Sequence, residues 1–336
     1  MVKQTKEIGS EFWDVPVTDE ENGLFPEGSQ WFLSGRCALQ AIISELKGCS
    51  SVAVPSWCCD SMIKPFADAG FKINFYPVYW QNGLVQEISL ESDVLFLMDY
   101  FGYTAGPAQT TGYRGITIRD VTHSLFSTAY DDANYYFGSL RKWCGVWTGG
   151  FVWTKDGHSL AAVSTGNETY CELREKAMLQ KAEYINGQRT DKNYLGLYKE
   201  AEAMLETEQC SAAADRDIEL AYRLDAETIR HRRRRNAEVV RTALPDLIMF
   251  REMRDTDCPM FVPILVPEKD RDALWKHLIS NGIYCPVHWP VSDYHKLDKK
   301  EEMLYKNELS LVCDQRYTEK DMRRLVDTIK QYWKEK

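Results

Sequence analysis

Asp120, His123 and Lys142 are close in the sequence, and their side chains could do chemistry as a group. Lys142 lies in the aromatic segment 136–143, where a lysine can lose its proton and attack a carbonyl carbon, although a surface lysine is the default interpretation. Asp120 follows an apolar strand candidate and could keep a pyridine nitrogen protonated, which makes such a ring an electron sink. His123 could face the same ring, or it could be a hydrogen-bonded core histidine.

A second group of residues could bind a phosphate. Ser34 and Gly35 precede an apolar pattern of helical spacing, so the first N–H groups of the helix, on Gly35, Arg36 and Cys37, would face an anion at the positive end of the helix dipole. An ordinary N-cap by Ser34 is an equally good interpretation. Trp57 follows another strand candidate, where it could stack on a ring or pack in the core.

The elements that must position these residues follow an α/β pattern. Short apolar strand candidates alternate with helices over the first two thirds of the chain. The strand candidates are 51–54, 72–76, 94–98, 115–119, 135–138 and 150–154. Ligands of open α/β sheets bind beyond the carboxyl ends of strands, so Asp99 and Asp120 mark the expected edge of the site.

The later part of the chain predicts a second, smaller domain. Residues 170–244 are charged and helical in pattern, and strand and helix candidates follow at 260–266, 271–280, 284–287 and after Thr318. We expect a large domain over residues 1–235 and a small α+β domain over residues 236–336. The run of basic residues 231–235 predicts a solvated helix face more strongly than a nucleic-acid patch.

Composition limits the classes of partner. The 336 residues are 44% hydrophobic and 27% charged, as in folded globular proteins, and the net charge of −9 disfavours nucleic acid or anionic membranes as partners. The sequence has no apolar run of signal-peptide or membrane-spanning length, so we expect a cytoplasmic protein. The ten cysteines have no zinc-ligand spacing; we expect reduced, mostly buried thiols and no metal site.

Several ordered segments resemble those of the DegT/DnrJ/EryC1/StrS aminotransferases, fold type I enzymes that use pyridoxal 5'-phosphate (PLP). The matching segments are 32–39, 54–58, 99–102, 119–123, 138–143, 285–290 and 313–317. Together they extend over most of the chain, with the aspartate ahead of the lysine. The resemblance implies a PLP-dependent transferase fold: a large domain with a mixed, mostly parallel sheet flanked by helices, and a smaller α+β C-terminal domain.

The resemblance also implies roles for the residues. Lys142 would bind the cofactor covalently and move the substrate proton, Asp120 would pair with the pyridine nitrogen, and His123 would lie near the 3-hydroxyl group. The remaining candidates for cofactor binding are Gly35, Arg36, Cys37 and Ser139 at the phosphate, and Trp57 and Cys59 near the ring. The implied reaction is the transfer of an amino group from glutamate to a nucleotide-linked keto-sugar for surface polysaccharides, by a homodimer.

The sequence departs from the family pattern in three places. Arg36 and its neighbours stand where many members have a small residue and threonine, Cys59 replaces an aromatic residue, and a subunit-crossing segment of the Gly-Tyr-Asn-x-Arg type is not found in residues 194–198. Two alternatives therefore stay open. The chain could be a regulator or scaffold without turnover, or an aminotransferase of small amino acids, in which Arg316 would bind the α-carboxylate.

Overall fold

The computed structural model describes residues 7–89, 91–104, 112–128, 133–163, 165–207 and 210–336. In chain order the strands are β1 (Ile8–Gly9), β2 (Gln30–Phe32), β3 (Ser51–Pro55), β4 (Lys72–Tyr76), β5 (Val78–Trp80), β6 (Leu84–Gln86), β7 (Val94–Met98), β8 (Ile116–Asp120), β9 (Tyr135–Ser139), β10 (Gly150–Thr154), β11 (Phe261–Leu265), β12 (Ile283–Tyr284) and β13 (Glu308–Val312). The α-helices are α1 (Gly35–Glu45), α2 (Asp60–Asp68), α3 (Glu168–Ile185), α4 (Tyr194–Thr207), α5 (Asp215–Tyr222), α6 (Ala226–Ala243), α7 (Glu268–Ser280), α8 (Lys299–Asn307) and α9 (Glu319–Lys334), and a 3-10 helix spans Leu140–Lys142.

The chain divides into two compact units, each made of separate stretches of sequence. The first contains the described residues of Glu11–Lys47 and Asn134–Ala226, and the second those of Glu7–Ser10, Gly48–Ala133 and Glu227–Lys336. The larger sheet strands form a mixed, mostly parallel set, of which three lie in the first unit and four in the second.

The first unit holds the antiparallel strands in the order β2–β10–β9. Helix α1 packs against β9 and β10 through an apolar face that includes Leu39 and Ile42. It begins where it does because the Ser34 side chain caps it, accepting the N–H of Cys37 at 3.2 Å. Strand β10 passes so close to this turn that a Cβ on Gly150 would lie 2.0 Å from the Ser34 carbonyl oxygen, so only glycine fits there.

The second unit contains four parallel strands in the order β8–β7–β3–β4. All five side chains of β7 are buried, as expected for a strand covered on both faces. Met98 of β7 lies opposite Asp120 of β8, so the two strands end at the same level. Asp99 and Asp120 therefore stand at adjacent carboxyl ends, as the sequence predicted.

The same unit contains a second hydrophobic core around the antiparallel pair β11–β13. Helices α7 and α9 contribute Leu274, Leu278, Leu325 and Ile329 to this core. Helix α9 begins with a reciprocal cap in which the side chains of Thr318 and Asp321 each bond the other residue's backbone. This part has the α+β character expected for the end of the chain.

Most predicted elements lie where the pattern placed them. Strands β4, β7 and β10 have the predicted bounds, whereas β12 is only two residues long and β13 and α8 were not predicted. All ten cysteines are free thiols, six of them buried, which confirms that expectation. None of the helices in the described ranges is long and apolar enough to cross a membrane.

The basic run 231–235 corrects one interpretation. It lies in α6, but Arg233 is buried, donating from Nε to Gln315 Oε1 at 2.8 Å and from a terminal nitrogen to the Met260 carbonyl at 2.9 Å. The run is therefore not a uniformly solvated face, because its central guanidinium bridges neighbouring segments of the second unit. The domain boundary between residues 235 and 236, which falls inside α6, stays a prediction.

Candidate active site

Asp120 is a buried carboxylate at the end of β8, with 3% of its surface exposed. Its Oδ1 accepts the N–H of Thr122 at 2.8 Å. Burial raises the pKa of Asp120 to about 6, and the nearby Asp99 carboxylate adds to that rise against the hydrogen bonds from Thr122. A carboxylate in this position gains from a positively charged partner.

Asp99 is stabilised from two sides. Arg119 donates to its Oδ1 at 2.6 Å, and Ser124 donates to its Oδ2 at 2.5 Å. Arg119 and Asp120 are successive residues of β8, so their side chains leave opposite faces of the strand. Asp99 therefore has a cation of its own, which leaves the charge of Asp120 for another partner.

His123 is oriented by the backbone of the neighbouring strand end. Its Nδ1 accepts the N–H of Phe101 at 3.2 Å, so a neutral ring carries its proton on Nε2. The ring is stacked on Trp289, with 5.7 Å between centroids and 24° between planes. His123 thus has a fixed ring position and tautomer, as a residue that contacts a ligand requires.

Trp57 and Cys59 have different surroundings. Trp57 is fully buried, is stacked on Tyr100 with 5.0 Å between centroids, and donates from Nε1 to the His288 carbonyl at 2.9 Å. These contacts agree with the core-packing interpretation. Cys59 precedes α2, and its Sγ lies 2.9 Å from the hydroxyl oxygen of Ser61. A contact of either residue with a cofactor stays a prediction.

In the first unit, Gly35 and Ser139 are brought together at the start of α1. A Cβ on Gly35 would lie 3.3 Å from the Ser139 Cβ, tighter than an ordinary van der Waals contact. The N–H of Cys37 is used by the Ser34 cap, and the Arg36 side chain donates to the Leu205 carbonyl at 2.6 Å. The Gly35 and Arg36 N–H groups and the Ser139 hydroxyl are therefore the candidates for binding a phosphate here, and that role stays a prediction.

Lys142 ends the 3-10 helix that follows β9, with its side chain exposed. Its neighbour Arg141 is buried and donates to Glu202 at 2.6 Å and to the hydroxyl of Tyr170. Burial opposes ionisation of Glu202, but the charges of Arg141, Lys142 and Arg174 outweigh it and lower the pKa of Glu202. The buried arginine anchors the short helix, and the role of the exposed Lys142 as the cofactor-binding lysine stays a prediction.

His288 and Arg316, from the sequence segments 285–290 and 313–317, could contact substrate from the smaller domain, but a packed histidine and a structural ion pair are the favoured interpretations. Arg316 forms a buried two-point ion pair with Asp314, from Nε at 2.9 Å and from a terminal nitrogen at 2.8 Å. His288 is packed between aromatic rings and contacts Ser310. Both observations agree with the structural interpretation of these residues.

The structure adds residues that sequence reasoning did not identify. Phe101 and Trp289 hold the His123 ring, Asp99 is neutralised by Arg119, and Glu202 pairs with Arg141. The position of Asp99 beside Asp120 was readable from two successive strands. The contacts of Trp289 and Glu202 join distant parts of the sequence, and no local pattern signals them.

Comparisons with known proteins are informative at the level of structure. No protein-family model matches the sequence, and a comparison with curated proteins finds no match. The fold is similar to that of Spr1654 from Streptococcus pneumoniae in its PLP form, with a TM-score of 0.61 and 14% identity over 91% of this chain and 87% of that one.

Two further structures have the same architecture. PseC, an aminotransferase of pseudoaminic acid biosynthesis from Helicobacter pylori, has a TM-score of 0.61 and 15% identity over 97% of this chain and 100% of its own. DesI, solved with its TDP-sugar product, has a TM-score of 0.62 and 13% identity over 97% and 93% of the two chains. The chain therefore has the α/β fold of the type I PLP-dependent aminotransferases, as the sequence predicted.

Proposed function

We propose that this protein is a PLP-dependent aminotransferase that transfers an amino group from glutamate to a nucleotide-linked keto-sugar. The observation that carries the proposal is Asp120, a buried carboxylate at a strand end in a chain with the aminotransferase fold. The protonated nitrogen of a pyridine ring is a cation that such a carboxylate binds well.

A phosphate would fit the start of α1. The Gly35 and Arg36 N–H groups and the Ser139 hydroxyl would bind it, because the helix start is positively polarised and the absence of a side chain on Gly35 lets Ser139 approach this turn. Lys142 supplies the amine for covalent attachment. Trp57 and Cys59 would lie near the ring, and Cys37 would position the phosphate turn through its bond to Ser34.

When bound, PLP supplies an electron sink for the bonds broken at the substrate α-carbon. Lys142 would hold the cofactor covalently and would move the substrate proton, acting as base and then as acid. Asp120 would keep the ring nitrogen protonated. His123 would lie near the 3-hydroxyl group with its Nε2 proton available to donate, because the Phe101 N–H bonds to its Nδ1.

The substrate class rests on the structural neighbours and the resemblance of the sequence segments. DesI was solved with its TDP-sugar product, and PseC is involved in the biosynthesis of pseudoaminic acid. A cytoplasmic homodimer that serves surface polysaccharide biosynthesis is consistent with both. Size-exclusion chromatography coupled to light scattering tests the dimer, and a fully active monomer would contradict it.

Particular residues argue against the two alternatives, an aminotransferase of small amino acids and a scaffold without turnover. An aminotransferase of small amino acids would need an arginine for the α-carboxylate, but Arg316 is already bound at two points by Asp314. The presence of both Lys142 and Asp120, the residues that covalent PLP chemistry would need, opposes a scaffold without turnover. We retain the scaffold as the outcome that the following experiment would reveal.

The test is covalent attachment of PLP to Lys142. The purified protein with PLP should show the visible absorbance band of the lysine-bound cofactor, glutamate should shift that band, and borohydride reduction should add the cofactor mass to the peptide that contains Lys142. Lys142→Ala should lose the band and the adduct. Lys176→Ala, which removes an exposed lysine of the same unit, should keep both. A band that survives in Lys142→Ala would refute the assignment, and a band unaffected by glutamate would favour the scaffold or another amino donor.

A further inference from the structure

Glu308 is a completely buried carboxylate that the proposed reaction does not use. It begins β13, a strand whose five side chains are all buried, and Ser310 lies two residues further along the same strand. Side chains two residues apart in a strand point to the same face. Glu308 and Ser310 therefore present a carboxylate and a hydroxyl side by side in the core of the second unit.

His288 completes a chain of three hydrogen-bonding side chains. Ser310 Oγ lies 2.5 Å from Glu308 Oε1, and His288 Nδ1 lies 2.8 Å from Ser310 Oγ. The backbone N–H of His288 also donates to Glu308 Oε2, at 2.7 Å. The direct separation of His288 Nδ1 and Glu308 Oε1 is 4.0 Å, so the hydroxyl is the link between them.

The number of protons on these three side chains decides which of them donates each hydrogen bond. A serine hydroxyl has one proton and can donate one hydrogen bond. When Glu308 is ionised, Ser310 donates to it, and His288 must donate from Nδ1 to Ser310. When Glu308 is protonated, it can donate to Ser310, which then donates to His288 Nδ1, and the imidazole proton is on Nε2.

We propose that His288, Ser310 and Glu308 form a proton relay in which Glu308 is the site that stores the proton. A proton from solvent binds at His288 Nε2, the Nδ1 proton moves to Ser310 Oγ, and the Ser310 proton moves to Glu308 Oε1. The net result is one proton added and the charge of Glu308 neutralised. His288 is neutral before and after the transfer and changes only its tautomer.

The surroundings of the relay bring the protonation of Glu308 near physiological pH. Burial raises the pKa of Glu308 to about 8, against the hydrogen bonds from Ser310 and His288 and the charge of Arg271. Arg271 faces the relay from α7, Cys285 from the end of β12, and His123 from the segment after β8. Of the two end residues of the relay, Glu308 is fully buried and His288 is 12% exposed, so we expect protons to be exchanged with solvent at His288.

The relay has a consequence for the candidate active site, and this step rests on the proposed function. The His123 and His288 rings lie edge to face, with 5.5 Å between centroids. A proton carried to Glu308 leaves both rings uncharged beside each other, whereas a cationic His288 would repel a positive charge on His123. Glu308 is thus a positioning residue that sets the hydrogen-bonding state of the ring next to His123.

The experiment is a pH titration of the cofactor-free protein by NMR with 15N-labelled histidine, from about pH 6 to about pH 10. Imidazole nitrogen shifts distinguish the two neutral tautomers from the cation, and His288→Gln identifies the His288 signals. We expect His288 to change from the Nε2–H to the Nδ1–H tautomer with a midpoint near 8, the pKa of Glu308. Glu308→Gln and Ser310→Ala should each abolish this change.

Asp217→Asn is the matched control, because Asp217 is also a buried carboxylate that accepts a threonine hydroxyl, at 2.8 Å, but lies in the first unit. It should leave the His288 titration unchanged. Formation of a His288 cation, a single tautomer throughout, or a change that persists in Glu308→Gln or Ser310→Ala would overturn the relay. Because no cofactor is present, these results are independent of whether Lys142 binds PLP.

Discussion

Replacing Asp120 by asparagine should make the cofactor-free protein more stable while impairing its use of PLP. The asparagine oxygen can still accept the Thr122 N–H, but the variant no longer buries a charge next to Asp99. The folded-state pKa of Asp120 is raised from 3.8 to about 6. At about 1.36 kcal/mol for each tenfold change in proton affinity, that rise corresponds to about 3 kcal/mol.

The sign of the effect depends on pH. A carboxyl group whose pKa is higher in the folded state binds its proton more tightly there, so the free energy of unfolding falls as pH rises from 3.8 to about 6. Above that window the full cost of the buried charge is present. Asp120→Asn should therefore gain up to about 3 kcal/mol at pH 8, and this gain should disappear near pH 3.

Asp314→Asn is a matched control with the opposite expectation. Asp314 is also 3% exposed, but the charge and hydrogen bonds of Arg316 outweigh its burial and lower its pKa. Removing that charge takes the carboxylate partner away from the buried Arg316 guanidinium, at a cost of about 3–5 kcal/mol. Urea unfolding followed by circular dichroism at both pH values measures the two variants.

A loss of stability in Asp120→Asn at pH 8, similar to that of Asp314→Asn, would show that Asp120 is a structural residue and would refute the reasoning. Repeating the measurement with PLP separates function from stability. The wild-type protein should gain about 2.7 kcal/mol at a PLP concentration one hundred times its Kd, and the variant should gain less.

Two further predictions concern Gly35 and Glu308. Gly35→Ala should weaken PLP binding about tenfold in a fluorescence titration, because the new Cβ would lie 3.3 Å from the Ser139 Cβ. The control Gly196→Ala, in open space on α4, should leave PLP binding unchanged and stabilise the fold by about 1 kcal/mol. Equal PLP affinity in the two variants would argue against an anion site at the start of α1. The raised pKa of Glu308 predicts that the free energy of unfolding decreases by up to about 5 kcal/mol between pH 4.5 and about 8. This decrease should be absent in Glu308→Gln. If the variant keeps the pH dependence of the wild-type protein, the pKa assigned to Glu308 is wrong.

The parallel strands and their carboxyl ends could be predicted from the sequence for a physical reason. Strand β7 is buried on both faces and is a continuous apolar run, so Asp99, the first polar residue after it, is fixed at the sheet edge. Asp120 ends the neighbouring strand β8 at the same level. The start of α1 was predictable in the same way, because Ser34 is a good cap before an apolar helical pattern.

Strand β13 and helix α8 illustrate what the pattern did not reveal. Glu308 and Ser310 occupy buried positions of β13, so the strand has no simple apolar signature. Helix α8 did have a local signal, since Asp298 and Glu301 form a capping box. Arg233 was misread because a charged residue is normally exposed, and only tertiary contacts with Gln315 and Met260 satisfy it in the core.

The second unit is built from three separate stretches of sequence, and this also affects the order in which the protein can fold during synthesis. Residues 48–133 contain the parallel strands, but the indole of Trp57 finds its acceptor on His288, 231 positions later. At about 5–20 residues per second, a ribosome needs roughly 10–50 s to synthesise that interval. For this time Trp57 has Tyr100 and Phe101 as neighbours but lacks the His288 carbonyl and Trp289. Its native surroundings are therefore complete only after residue 289 has emerged, whereas the segments of the first unit are already complete at residue 226.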